Sequence, residues 1–210
     1  MAEDPGATRR LGPTIVGLVL AGGRSSRFGE ADKLRAELRG RPLFHHAVLA
    51  AAASCDEVIV VVARDATDPP PLPTDAMAPV RVVRDVLVDT GPLAGLVAGL
   101  EAAGSELVLV AGGDQPDLTS ALLRLLIDSV RQADAAVLAE HDRPRPLPAV
   151  LRRAPASVAA RTRLMSDQRS LRALIADLEP VVVPERTWRR VDPDGAWRRD
   201  IDEPADLSGP

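Results

Sequence analysis

The 210-residue chain has a formal net charge of −4 and an isoelectric point near 5.4, which argues against the basic face of a non-specific nucleic-acid binder. No apolar run approaches the ~20 residues that span a bilayer, and Cys55 is the single cysteine, which excludes an internal disulfide framework. The expectation is a protein of a reducing compartment, cytoplasmic, with neither nucleic acid nor membrane as partner.

Residues 1–13, MAEDPGATRRLGP, lack an apolar core and read as a frayed, disordered leader rather than a signal peptide. Residues 14–210 read as one domain, long enough to remove roughly 70% of its unfolded surface from water. TIVGLVLA (14–21) is a short Val/Ile/Leu run ending at glycines, the pattern of a strand covered on both faces. PLFHHAVLAAAAS (42–54) opens with proline and continues in alanine, which predicts a helix. EVIVVVA (57–63) is a second buried strand, and the proline-rich stretch 64–79 a surface connection to VRVVRD (80–85), a third. GPLAGLVAGLEAA (91–103) predicts a helix announced by Gly-Pro, ELVLVA (106–111) a strand, and LTSALLRLLIDSVRQA (118–133) an amphipathic helix. DAAVLAE (134–140) and LPAVLRR (147–153) are strand candidates, SLRALIADL (170–178) is helical and VVVPE (181–185) strand-like. This alternation predicts an α/β fold, a mostly parallel sheet with helices on both faces. Ligands of such sheets sit beyond the carboxyl ends of the strands, so the loops after residues 21, 85 and 111 should converge on one crevice.

The first of these loops stands out. LAGGRSSRFGEADK (20–33) ends at Lys33, the one lysine beside 25 arginines. Backbone N–H groups of a glycine-rich turn can wrap a phosphate. Six basic side chains between residues 24 and 41 face three acidic ones, an excess suited to a triphosphate. Two familiar phosphate loops do not fit: Lys33 is followed by Leu34 rather than Ser or Thr, and Gly22-Gly23 has no further glycine until Gly29. A Gly-Ser loop with solvated arginines is the competing reading.

Carboxylates follow the other strands. Asp114, in GGDQPDL (112–118), comes directly after a buried strand, where a carboxylate can hold Mg²⁺ together with substrate phosphates. Asp85 ends the third strand and is either a turn residue or a ligand contact. Asp200 and Asp202 alternate in DIDEP, so an extended segment would turn both to one side. Asp202 reads either as a metal ligand or as the N-cap of a following helical turn. The adjacent His45 and His46 cannot share one helix face and read as surface or packing residues. Cys55 reads as a small apolar residue, and Trp188 and Trp197 as packing or substrate-side groups.

Together these segments resemble the nucleotidyltransferase family typified by molybdenum cofactor guanylyltransferase, the MobA-like NTP transferases. Residues 20–33 resemble its signature L-A-G-G-x-S-x-R-[MF]-G-x-x-K, with three residues rather than two between Gly29 and Lys33, and GRPLFHHAV, VVRD, GPLAG, GGDQPDL, RPLPAVLRR, SLRALI and DIDEPADL follow in the same order. The resemblance implies a Rossmann-like nucleotidyltransferase fold and transfer of GMP from GTP to the phosphate of molybdopterin, with Mg²⁺ as cofactor and molybdoenzymes as possible onward recipients. It implies that Leu20, Ala21, Gly22 and Gly23 line the nucleotide, that Arg27 and Lys33 meet its phosphates, and that Asp85 contacts the guanosine part. It places Mg²⁺ on Asp114, with Arg27, Lys33 and Asp114 as the catalytic set, and Gly91 and Gly95 of GPLAG against the nucleoside. The chain departs from the family pattern where Pro-Cys-Asp is Gly112-Gly113-Asp114, where an asparagine-bearing strand end is VVVAR, and where Asn-Val-Asn-Thr-Pro is DIDEP. The nearest rivals are a cytidylyltransferase and an enzyme for another small phosphate; a silent nucleotide-binding module is the rival from another class. The second glycine of LAGG favours guanine.

Overall fold

Runs of valine and leucine become strands wherever helices can cover both sheet faces. The computed structural model describes residues 15–22, 33–66, 71–85 and 91–208. The leader and residues 23–32 lie outside the described residues. In chain order the elements are β1 (Ile15–Leu20), a hairpin of β2 (Glu37–Leu38) and β3 (Arg41–Pro42), α1 (Leu43–Ala52), β4 (Glu57–Val62), β5 (Val80–Arg84), α2 (Pro92–Ala102) and β6 (Leu107–Gly112). They continue with α3 (Ser120–Val130), β7 (Ala135–Glu140), β8 (Arg143–Arg152), α4 (Arg153–Met165), α5 (Leu171–Asp177), β9 (Val181–Val183) and α6 (Glu185–Trp188). Short 3-10 helices cover Lys33–Arg35, Ala196–Arg198 and Pro204–Ser208. No helix among the described residues is long and apolar enough to cross a membrane.

The seven-stranded sheet runs β5-β4-β1-β6-β8-β7-β9, with β8 antiparallel to both neighbours and the other pairings parallel. Strand alternation sends Val19, Val58 and Val60 to a core shared with α1 and α3, and Val16, Leu18 and Ile59 to one shared with α2, α4 and α5. The mostly parallel sheet and two-sided helix cover match the expected architecture. From β1 the chain crosses to β4 on one side and later returns to β6 on the other, so the order reverses at β1. The cleft between the ends of β1 and β6 is therefore the topological switch point, where open α/β sheets bind ligands. On α2, a Cβ at Gly99 would stand 2.7 Å from Leu18 Cδ1, so this glycine lets the helix sit flush on the strand beneath it.

The β2–β3 hairpin and α6 had no counterpart in the sequence expectation, and two longer segments also differ from it. Helix α4 had no counterpart: its buried positions are Ala156 and Ala160, set among arginines, so its apolar stripe is too thin to show as periodicity. Strand β8 begins at Arg143, four residues before the predicted LPAVLRR. Pro144, Pro146 and Pro148 lack the N–H that a ladder needs. Only Ala149–Arg152 pair with β6, and the β7 pairing shifts between Val137 and Ala139. The proline-bearing half thus leaves β6, while Arg143 and Pro144 stay paired with Glu140 and Ala139 of β7.

The histidines pack as expected. His45 Nε2–H donates to the Pro71 carbonyl at 2.6 Å and His46 Nε2–H to the Leu38 carbonyl at 2.9 Å. Burial holds the His46 pKa below its usual value, helped by Arg39 and Arg41 and opposed by the Leu38 carbonyl and Asp117. The unfolded chain therefore takes up this proton first as pH falls through about 6.5, and the associated stability is present above that pH and lost below it. The fall in Tm between pH 7 and pH 5 should be shallower in His46→Gln than in wild type; parallel curves would contradict this assignment.

Candidate active site

Four strand ends meet at the switch point. The β1 chain runs from Leu20 into Ala21, whose N–H donates to the Val61 carbonyl at 2.8 Å, and into Gly22, where a Cβ would lie 3.2 Å from the Ala63 nitrogen. From β6, the Gly113 N–H donates to the Leu20 carbonyl at 3.0 Å, folding the Asp114 turn over the end of β1. Buried Gln115 braces that turn, its Oε1 accepting the Gly112 N–H at 2.9 Å. Asp85 follows β5, with its N–H on the Val62 carbonyl at 2.8 Å. Its Oδ2 lies 3.7 Å from where a Gly95 Cβ would be, and Leu20 Cδ2 lies 3.9 Å from the same point. Gly91 starts α2 at φ 76°, a conformation that favours glycine. Leu20, Ala21, Gly22 and Asp114 thus stand together at the ends of β1 and β6, with Asp85 and Gly95 beside Leu20, while Gly91 lies at the start of α2 with nothing within 4 Å of where its Cβ would be. Gly23 and Arg27 lie outside the described residues.

A cavity of about 270 Å³ opens there. It is lined by Leu20, Gly22 and Pro92, by Asp114 after β6, and by Arg145, Leu147, Leu171 and Asp200. Beside it, Lys33 Nζ donates to Asp114 Oδ2 at 3.0 Å and to Asp202 Oδ1 at 3.1 Å. The C-terminal segment reaches this place because the Ile201 N–H donates to the Asp114 carbonyl at 3.0 Å, while the Ile201 side chain is fully buried with Leu38 and Leu43. Burial works against the Lys33 charge, but Asp114 and Asp202 outweigh it and raise its pKa, so the side chain is an ammonium at neutral pH.

Asp202 does not cap the last turn with its own side chain as one reading had it. The roles are reversed: the Asp206 carboxylate accepts the N–H groups of Asp202 and Glu203 at 2.8 and 2.9 Å, and the Asp202 carboxylate turns to Lys33. Asp200 faces Arg145, whose guanidinium bonds both Asp200 and Glu140 and lies over the Trp197 ring at 5.5 Å. Asp200 Oδ1 is buried without a hydrogen-bond partner among the described residues. Burial pushes the Asp200 pKa up, with Asp114 and Asp202 adding to the effect; Arg145 opposes it, as does the Gln115 side chain, which lies near the Asp200 carboxylate but outside strict hydrogen-bond geometry. Three carboxylates thus converge on Lys33 and Arg145.

The sequence reading missed Arg145 and Gln115 as site residues. Gln115 stood inside a quoted motif, and the prolines around Arg145 were the available signal of a strand leaving its ladder. Gly112 has a role the sequence did not show: a Cβ there would come 2.5 Å from Asp114 Oδ1. Gly112→Ala should displace the carboxylate and lower any Asp114-dependent activity about 10²-fold, the order expected for a misplacement near 1 Å, with Tm within a few degrees of wild type. Unchanged activity would show that the carboxylate position is not critical.

The model of the MobA-like NTP transferase domain matches residues 17–181. Among curated relatives, the molybdenum cofactor guanylyltransferase of Burkholderia vietnamiensis is 37% identical over 194 residues, covering 89% of this chain and 93% of the relative. Among solved structures, molybdopterin-guanine dinucleotide biosynthesis protein A from Archaeoglobus fulgidus superposes with a TM-score of 0.74 at 24% identity, covering 91% of this chain and 94% of that one. The 4-diphosphocytidyl-2C-methyl-D-erythritol synthase of Anaerococcus prevotii shares the fold at a TM-score of 0.65 and 16% identity, over 92% and 94% of the two chains. At 24% and 16% identity these two likenesses show the shared fold. This chain belongs to the MobA-like NTP transferase family of nucleotidyltransferases.

Proposed function

We propose that this protein transfers GMP from GTP to the phosphate of molybdopterin and releases pyrophosphate, with Mg²⁺ as cofactor. The observation that carries the reading is the bridge from Lys33 to Asp114 and Asp202 at the switch point of the sheet. In the transfer, an oxygen of the acceptor phosphate forms a bond to the α-phosphorus of GTP as the bond to the pyrophosphate oxygen breaks. The attacking group is already an anion, so no protein base or nucleophile is required. Such transfers depend on positioning and on stabilising charge.

The residues present fit a divalent cation. Their donors are the hard carboxylate oxygens of Asp114 and Asp202, which already meet on one cation, the Lys33 ammonium, at 3.0 and 3.1 Å; among the described residues no group of three or more such side chains could hold an ion by itself. Mg²⁺ is ordinarily held by one or two carboxylates plus substrate phosphates and water, so Asp114 and Asp202 would hold it with the nucleotide. When bound it would polarise the α-phosphoryl group. Leu20, Ala21, Gly22 and Gly23 line the nucleoside and phosphate path in this reading, and Gly91 and Gly95 let α2 approach it. Asp85 contacts the guanosine part, and Arg27 meets the phosphates. Lys33 follows the charge that builds toward the leaving pyrophosphate, a task for a compact ammonium on a flexible stem. The guanidinium fork of an arginine at this position would remain clamped on carboxylates. Lys33→Arg should therefore cut turnover at least ~100-fold, the scale of one lost oxyanion-type donor; near-normal turnover would refute this role.

Thermal shift with GTP, CTP, ATP and UTP, each with Mg²⁺, tests the donor. At 100 times Kd a ligand stabilises by about 2.7 kcal/mol. The reading requires the largest shift with GTP; a CTP-selective shift would move the protein to the cytidylyl branch. Nucleotide binding without pyrophosphate release in the presence of molybdopterin would make it a binding module.

A further inference from the structure

A second ion bridge joins the same chain segments as Lys33, Asp114 and Asp202, with the charges reversed. Lys33 places one cation between two carboxylates; Asp117 places one carboxylate between two guanidiniums. Arg39 Nη1 lies 2.6 Å from Asp117 Oδ1 and Arg199 Nη1 3.5 Å from Asp117 Oδ2, and only 12% of the Asp117 side chain is exposed. Asp117 follows Asp114 on the turn after β6, Arg39 follows Lys33 at the tip of the β2–β3 hairpin, and Arg199 just precedes Asp202. All stand outside the cavity lining. Arginine is an unusual residue for the hairpin tip. Arg39 has φ 52° and Gly40 φ 78°, the two positive values that a two-residue hairpin turn demands. The first of these positions ordinarily goes to asparagine, aspartate or glycine, because other side chains strain there. The carboxylate that Arg39 reaches accounts for the choice. On the other side, Arg199 Nη2 donates to the Asp206 carbonyl at 2.5 Å, and the Asp206 carboxylate accepts the N–H groups of Asp202 and Glu203 at 2.8 and 2.9 Å. Contacts therefore run without a break from Asp117 to the backbone of Asp202.

We propose that Asp117 is a positioning residue for the transfer reaction: through Arg199 and Arg39 it fixes the C-terminal segment and the hairpin on the β6 turn, and so sets where the Asp202 carboxylate stands relative to Asp114. This rests on the guanylyl transfer proposed above and on the part of Asp202 in it. The segment is docked by the Ile201 N–H on the Asp114 carbonyl and by the Ile201 side chain, buried with Leu38 and Leu43. One backbone bond and one apolar side chain at a single residue leave a pivot. Arg199 and Asp202 flank that residue in sequence, so a second fixed point at Arg199 removes the freedom. An ion pair that is still partly exposed adds little to stability; its value here is geometry.

Amide hydrogen exchange of the peptide spanning Ile201–Glu203, measured on the full chain, reads this geometry without substrate. Asp117→Asn should speed exchange there about 5-fold, the scale of one partly exposed ion pair lost, with Tm little changed. Its kcat for pyrophosphate release should fall about 10-fold, less than the ~10²-fold of a 1 Å misplacement because Ile201 still anchors the segment. The KM for GTP should hold within about 2-fold, since uniform binding of the nucleotide is untouched. Asp117→Glu keeps the charge and should recover most of both losses. Arg199→Gln keeps the carboxylate and should reproduce the effects of Asp117→Asn. The double variant should lose no more than the larger single, because groups that act through one contact are not additive. Exchange unchanged in both single variants, kcat equal to wild type in either of them when folded, a loss that falls on the KM for GTP instead of kcat, or additive losses in the double variant would each overturn the proposal. If the wild type does not turn over GTP but exchange at Ile201–Glu203 still follows the Asp117 charge, the guanylyl reading fails and the clasp stands; normal turnover with exchange unmoved means the reverse.

Discussion

Asp114→Asn is expected to lower GMP transfer about 10³-fold while leaving the fold and Tm nearly unchanged. The substitution keeps the shape of the side chain and the backbone carbonyl that accepts the Ile201 N–H at 3.0 Å, so the C-terminal segment stays docked. What it removes is charge at the end of β6. Lys33 loses its contact with Asp114, 3.0 Å against 3.1 Å for Asp202, and the proposed cation loses its first protein ligand. Losing one preorganised electrostatic group commonly costs 10²–10³ in rate. Here the same carboxylate serves both the lysine and the metal, which argues for the upper end, about 4 kcal/mol of transition-state stabilisation. The check is kcat for pyrophosphate release at saturating GTP, alongside a thermal melt. A loss smaller than ~10-fold in a folded variant would remove Asp114 from the mechanism.

Trp188→Ala should produce the largest loss of stability. Trp188 ends α6, is fully buried, and its Nε1–H donates to the Ala139 carbonyl of β7 at 2.8 Å. Its ring meets Trp197 edge-on at 5.6 Å and 83°, with the Arg189 and Arg198 guanidiniums over it at 4.9 and 5.7 Å. Truncating a buried tryptophan costs roughly 3–5 kcal/mol, and the Ala139 carbonyl would lose its partner as well. For a chain of this size each kcal/mol lowers Tm by about 2–4 °C, so a fall of roughly 6–20 °C is expected. The effect should extend to the site, because Trp197 lies beneath Arg145, which lines the cavity. A melt within ~2 °C of wild type would show that this aromatic pair is not a structural pin.

How far the sequence could be read follows from where the information lies. Strands such as Val58–Val62 and Val108–Val110 are buried on both faces, so they appear as unbroken apolar runs with sharp ends. Alternation of these runs with helices is enough to give a mostly parallel sheet. Helix α4 was hidden because alanines form its buried face, and the full length of β8 because its prolines argue against a strand, although the segment keeps its pairing with β7 and loses only that with β6. In the site, Lys33 and Asp114 were visible as a lone lysine and a carboxylate after a buried strand. The contact between them was not, since it spans 81 residues, and that with Asp202 spans 169. Alternation in DIDEP marked Asp200 and Asp202 as a pair, but only tertiary structure sends one to Arg145 and the other to Lys33. Arg145 opens the RPLPAVLRR segment, whose prolines marked an unusual strand, but its role is recognised only by the two carboxylates it meets, Asp200 and Glu140.

The most direct test of the account is pyrophosphate release by the wild-type protein with Mg²⁺, molybdopterin and either GTP or CTP, with acceptor-free reactions as controls. The account predicts release that depends on molybdopterin and is at least ~10-fold faster with GTP. Release with CTP alone, or GTP turnover indifferent to molybdopterin, would contradict it.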